Sequence, residues 1–172
     1  MIYFNNDYTE GAHEKIIERF IETNMVQAPG YGFDEYSKRA KDHIKTATKT
    51  EDIDIHFLSG GTQTNLIVIA ASLRPYEGVI TADSGHIHTL ETGAIESIGH
   101  KLLLLPNKEG KITATQVQEL CESYWKNGAK MHQVQPGMVY LSNPTETGTL
   151  YSKAELTALR EVCKKYEMKL FI

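Results

Sequence analysis

Long basic runs, membrane-length apolar stretches and a cysteine framework are all missing from this chain of 172 residues. Eighteen Lys and Arg stand against 22 Asp and Glu, a net charge of −4. The positive residues are nowhere concentrated, which argues against a dedicated nucleic-acid binder. No stretch approaches the roughly 20 apolar residues of a membrane span. The amino-terminal MIYFNNDYTEGAH lacks the basic segment and apolar core of a secretory leader. The expectation is therefore a cytoplasmic protein without membrane contact, whose partners are small molecules and copies of itself. Cys121 and Cys163 lie far apart, each inside a helical pattern, as buried thiols do; a disulfide framework or a metal site would space them differently. With 41% hydrophobic and 23% charged residues, the chain suits a soluble domain with a real core.

What is present is an alternation of helical and strand-like patterns. Ala12–Asn24 sets Ile16, Ile17, Phe20 and Ile21 on one helical face, and Asp34–Thr48 does the same with Tyr36, Ala40, Ile44 and Ala47. A Gly-rich loop, Gln27–Gly32, lies between them and carries Tyr31. The apolar, β-branched run at Ile53–Leu58 reads as a strand. It stops at Ser59-Gly60-Gly61-Thr62 and gives way to a helix over Gln63–Leu73. Further on, strands are expected at Gly78–Ala82, Lys101–Leu105, Met138–Ser142 and Met168–Ile172, with a helix over Leu90–Ser97. Thr113–Gln116 and Ser152–Glu155 match the capping-box pattern and open two more helices. This order predicts an α/β fold, a mostly parallel sheet flanked by helices, without repeats or linkers. The last run, Lys169–Ile172, reads as a buried strand cut at its carboxyl end, where open α/β sheets place their ligands.

The Ser59–Thr62 turn carries the strongest functional signal. Glycines allow close backbone approach, the first helical amides lack partners within the helix, and the helix dipole favours an anion. Ser59, Thr62 and Thr64 add hydroxyls, so a phosphorylated cofactor fits; a plain tight connection is the alternative. The spacing matches neither the Walker A nor the dinucleotide pattern. Three polar clusters follow strands on the same predicted rim. In Asp83–His88, His86 is a candidate ligand-contacting imidazole, with an exposed histidine beside a capping Asp83 as the alternative. The His-x-His spacing also suits a metal, but no cysteine or carboxylate cluster completes a site and none is expected. In Glu91–Glu96, Glu91 is placed to share a proton with His88, or is simply a solvated helix residue. Asn143–Thr149 gathers polar groups after a strand, or is an ordinary capped turn.

Taken together, NDYTEGAH (Asn6–His13), GYGFDEY (Gly30–Tyr36), FLSGGTQTN (Phe57–Asn65), ADSGHIHTLETGA (Ala82–Ala94) and SNPTETGTLY (Ser142–Tyr151) resemble the threonine aldolase and β-eliminating lyase family of pyridoxal-phosphate enzymes. The similarity covers Asn6 to the last residue and implies the first half of an aspartate-aminotransferase-like large domain, truncated at Ile172. It implies an N-terminal helical arm and subunit-contact loop over residues 1–50, and the start of the cofactor domain over 51–172. By resemblance, Gly60, Gly61, Thr62 and Gln63 hold the phosphate of pyridoxal 5'-phosphate. His86 stacks on its ring and selects or deprotonates substrate, with Glu91 as an acidic neighbour. Tyr31 corresponds to a tyrosine that reaches the site of a neighbouring subunit, in a homodimer or homotetramer. Asn6 stands where the family usually has a serine near the substrate carboxylate, and Thr145 where many relatives carry a histidine touching the substrate hydroxyl.

The implied reaction cleaves the Cα–Cβ bond of a β-hydroxy-α-amino acid to glycine and an aldehyde. β-Elimination from another amino acid is a second enzymatic reading, and a non-catalytic module that keeps the phosphate cradle is a third. The family's ring-pairing aspartate, a following arginine and the imine-forming lysine fall beyond Ile172. On this reading, the chain alone is inactive.

Overall fold

A computed structural model describes residues 3, 6 and 8–172. Asp7 of the Asn6–His13 motif lies outside the described residues. The chain forms two compact units, Met1–Phe57 and Leu58–Ile172.

The first unit carries α1 (Glu14–Thr23) and α2 (Glu35–Thr48). His13 caps α1 through its ring, and Asp34 caps α2 by accepting from the Ser37 amide at 2.8 Å. Lys49 ends α2 in the left-handed region, its N–H returning to the Lys45 and Thr46 carbonyls. Both helices follow the predicted apolar periodicity. On α1, however, Ile16, Ile17, Phe20 and Ile21 all remain exposed. The strand expected at Ile53–Leu58 does not form. Among the described residues that segment pairs with no strand, and only Ile53 and Ile55 are half-buried. Alternating Ile and Asp satisfies the strand pattern, but a ladder needs a neighbouring strand that local sequence cannot supply.

The second unit is a four-stranded parallel sheet in the order β2-β1-β3-β4, from β1 (Glu77–Ala82), β2 (Leu102–Leu105), β3 (Gln135–Tyr140) and β4 (Lys169–Phe171). Its helices are α3 (Gly61–Ser72), α4 (His86–Thr89), α5 (Ala94–Ser97), α6 (Ala114–Lys126) and α7 (Lys153–Lys165). Successive strand residues alternate between two cores, as the pleat requires. Ile80, Ala82, Val139 and Leu141 pack with Val117, Cys121, Leu159 and Cys163 of α6 and α7. Val79, Met138 and Tyr140 pack on the other face with Ile69, Ile87 and Ile95 of α3, α4 and α5. Both cysteines are buried and unpaired.

Three boundaries depart from the sequence pattern. β3 begins at Gln135 and tolerates Pro136 because the ladder shifts register opposite it, at Gly78/Val79. The helix expected over Leu90–Ser97 is split: α4 starts earlier, and Thr92 and Gly93 take positive φ before α5 begins. Asp83 caps no helix; its carboxylate accepts from the Asn107 backbone N–H and side-chain amide at 3.1 and 2.6 Å, tying the end of β1 to the end of β2. The Asn107 amide holds the Asp83 carboxyl below its ordinary range.

The order places β1 and β3 side by side while the chain leaves β1 toward β2 and leaves β3 toward β4. A crevice opens at the carboxyl ends where such connections diverge.

Candidate functional site

Three segments of the second unit meet in that crevice: the start of α3, the β1–α4 loop running on to Glu91, and the loop after β3. They line an open cleft of about 590 Å³ that includes Gly61, Asn65, His86, Tyr140, Thr145 and Glu146.

Gly60 is the N-cap of α3, and among the described residues no side-chain cap bond is made to the helix start. The intrahelical ladder opens with the Thr64 amide donating to the Gly60 carbonyl at 3.0 Å, so the amides of Gly61, Thr62 and Gln63 precede its first bond. A Cβ built on Gly60 or Gly61 meets nothing within 4 Å, and Gly61 lines the open cleft. The Gln63 side chain folds back, its Oε1 accepting from the Ser59 N–H and hydroxyl at 3.0 and 2.7 Å. Gln63 thereby braces the turn. The result is a roomy, uncapped helix start that suits a phosphate ester.

His86 sits at the first turn of α4, immediately after Gly85, where a Cβ would strike the Thr81 side chain and the Ala82 carbonyl. Its N–H donates to Glu146 Oε1 at 2.8 Å, a contact across 60 residues, and the Ser142 hydroxyl donates to the same oxygen at 2.5 Å. The imidazole is half-buried at the cleft, with Nε2 3.6 Å from Glu91 Oε1. Glu91 therefore faces His86 and not His88, which is exposed. The side chain of Glu91 is fully buried, and the Asn65 amide donates to its Oε1 at 2.8 Å. Its Oε2 is buried with no hydrogen-bond partner among the described residues. Tyr140 closes the floor, its ring edge-on to Phe171 at 5.3 Å between centroids. Burial pushes the Tyr140 phenol up, with the Glu91 and Glu146 charges acting the same way.

Thr145 lines the cleft, but its hydroxyl lies within the turn, at 3.1 Å from the Thr147 hydroxyl and 2.8 Å from that of Thr149. Asn6 and Tyr31 belong to the first unit. Asn6 Oδ1 accepts from the Tyr8 amide at 3.0 Å, and Tyr31 stands fully exposed at φ 62°.

Sequence reasoning did not single out Asn65, Tyr140 or Glu146. Asn65 had a signal: it lies one turn before Ile69 on the buried stripe of a helix that is otherwise apolar there. A lone amide in such a stripe needs a polar partner. Glu146 had none, because its partner is fixed only by the adjacency of β1 and β3.

A low specificity L-threonine aldolase of Pseudomonas aeruginosa is 31% identical over 169 residues, covering 97% of this chain and 47% of that protein. An enzyme of the same name from a Pseudomonas species is 31% identical over 151 residues, 87% of this chain and 42% of its own. The chain thus spans a little under half the length of these relatives. Among solved structures, threonine aldolase of Leishmania major superposes with a TM-score of 0.89 at 42% identity, over 96% of this chain and 47% of that one. Kynurenine aminotransferase of Pyrococcus horikoshii, at 14% identity and a TM-score of 0.68 over 91% of this chain and 38% of its own, shares the fold. With the family model for beta-eliminating lyases matching residues 6–172, the chain belongs to the beta-eliminating lyase family.

Proposed function

We propose that this chain forms the first half of a pyridoxal-phosphate-dependent carbon–carbon lyase of amino-acid metabolism, one that cleaves β-hydroxy-α-amino acids to glycine and an aldehyde. One observation carries the reading: the 42% identity and 0.89 TM-score to a threonine aldolase run through the segments that build the cleft. The residues present fit the cofactor. The amides at the start of α3, with the Thr62 hydroxyl, would hold its phosphate, and His86 would lie against its ring. When bound, pyridoxal phosphate supplies a conjugated electron sink for charge left on the substrate's Cα.

The protein's own groups do the rest. His86 accepts the proton of the substrate's β-hydroxyl, directly or through water, and Glu91 faces the imidazolium so formed. Glu146 fixes the His86 backbone from the neighbouring loop. Asn6 and Tyr31 are assigned to substrate contact, Tyr31 in a neighbouring copy of a cytoplasmic homodimer or homotetramer. Residues 1–50 serve as the arm and 51–172 as the start of the cofactor domain.

Product analysis of the full-length protein with pyridoxal phosphate and L-threonine tests the reading. Glycine plus acetaldehyde supports it, and neither product from threonine or its β-hydroxy homologues overturns it. The second reading, β-elimination, is favoured by Thr145 standing where many relatives carry a histidine for the substrate hydroxyl, with its own hydroxyl held against those of Thr147 and Thr149. Ammonia plus a keto acid would identify that reaction.

A further inference from the structure

We infer that Asn65 is a positioning residue: by pinning Oε1 of Glu91 it fixes His86 as the Nε2–H tautomer, leaving Nδ1 as the nitrogen that takes up a proton.

The carboxylate of Glu91 is buried and poorly satisfied. Its Oε1 accepts from Asn65 at 2.8 Å and lies 3.6 Å from His86 Nε2, while Oε2 has no partner among the described residues. At 3.6 Å the contact is electrostatic and not a direct hydrogen bond, and a buried carboxylate with one unpartnered oxygen favours a proton on the ring nitrogen that faces it. The ring nitrogen facing it is thus stabilised as N–H, and the other nitrogen keeps its lone pair. Without the Asn65 amide, nothing selects which carboxylate oxygen faces His86. The Glu91 side chain would then turn to satisfy itself elsewhere.

Asn65 sits one helical turn after Gly61 and buries on the same stripe as Ile69. Helix α3 therefore carries both the open amides at its start and the donor that orients Glu91. One rigid element sets the distance between a bound anion and the imidazole. The uptake itself is simple: the proton moves from a hydroxyl oxygen to Nδ1, the oxygen keeps the bonding pair, and the imidazolium faces the Glu91 carboxylate.

This inference deepens the proposed role of His86, but its test needs neither cofactor nor substrate. Long-range proton–nitrogen correlation spectra of the histidine-labelled chain, at a pH where imidazole is neutral, read the tautomer directly, with a His86→Ala variant for assignment. The wild-type chain is expected to show His86 as the Nε2–H form alone. Asn65→Leu and Asn65→Asp, which both lack the amide donor, are expected to release it to a mixture of the two forms. Far-UV circular dichroism identifies which variants fold. A mixture or the Nδ1–H form in the wild type overturns the inference without any variant, as does exclusive Nε2–H in either folded variant. If His86 shows the expected tautomer yet the full-length protein cleaves no amino acid, the proposed function fails and the positioning role stands.

Discussion

The two faces of the sheet are built to different rules. Against one face, α6 and α7 each begin with a complete capping box, Thr113 with Gln116 and Ser152 with Glu155, and their inner surfaces are apolar. Against the other face, α3 begins on two glycines with no cap, and the polar side chains of Asn65 and Glu91 are buried within it. Capping satisfies helix-end amides internally and stabilises the fold. Leaving them open gives up a little stability and keeps donors for a ligand. The difference separates the scaffold from the working surface within one small unit.

Substitutions that act on one face and spare the other sharpen this contrast. Leu159→Ala, in the α6/α7 core, is expected to have the largest effect, a loss of about 2–5 kcal/mol read by urea denaturation. Gly60→Asp reverses the design on the other face. Gly60 is in extended backbone that any residue adopts, with open space for a side chain, so the fold should be kept or gain a few tenths of a kcal/mol from the new cap. A carboxylate at the proposed phosphate seat is expected to weaken pyridoxal-phosphate binding by about tenfold, equal to ~1.4 kcal/mol, in an absorbance titration of the full-length protein. Unchanged affinity would show that the seat is elsewhere. Ser152→Ala should cost about 1 kcal/mol with cofactor affinity unaltered, because its hydroxyl serves only the start of α7.

The smallest effect concerns acid. Lys111 holds the Glu155 carboxyl down to about 2, helped by the Ser152 amide. The group is depressed in the folded state, so its contribution is complete above the ordinary value of 4.5 and is lost as pH falls from there toward about 2. Glu155→Gln should flatten this part of the acid limb, and urea midpoints at pH 5 and pH 3 would show it. Equal slopes for variant and wild type would remove the pair from the account. Burial also lifts the Cys121 and Cys163 thiols to about 12 and 11. Both should resist thiol reagents in the folded protein and react only after denaturation.

The capped helices were the most legible part of the fold, because a capping box and an apolar stripe are both written within about 15 residues. α6 and α7 begin where Thr113 and Ser152 mark them. Strand identity was legible as well, but ends and pairing were not. β3 starts early on Gln135 and Pro136 because its neighbour β1 shifts register there, and Ile53–Leu58 has the right alternation but no neighbour. At the cleft, the glycine turn and His86 could be read from local chemistry. Local spacing pairs Glu91 with His88, whereas the family resemblance puts it beside His86, and it is His86 that Glu91 faces at 3.6 Å. Asn65 and Glu146 act across 26 and 60 residues, separations that no periodicity reports.

One consequence of the all-parallel order is practical. Every strand delivers its carboxyl end to the cleft side, so the loop Asn127–Gln133 that leads into β3 emerges at the far pole, where a side chain on Gly128 meets nothing within 4 Å. A fluorophore or surface anchor attached there could report on the protein, or tether it, without crowding the entrance used by small molecules.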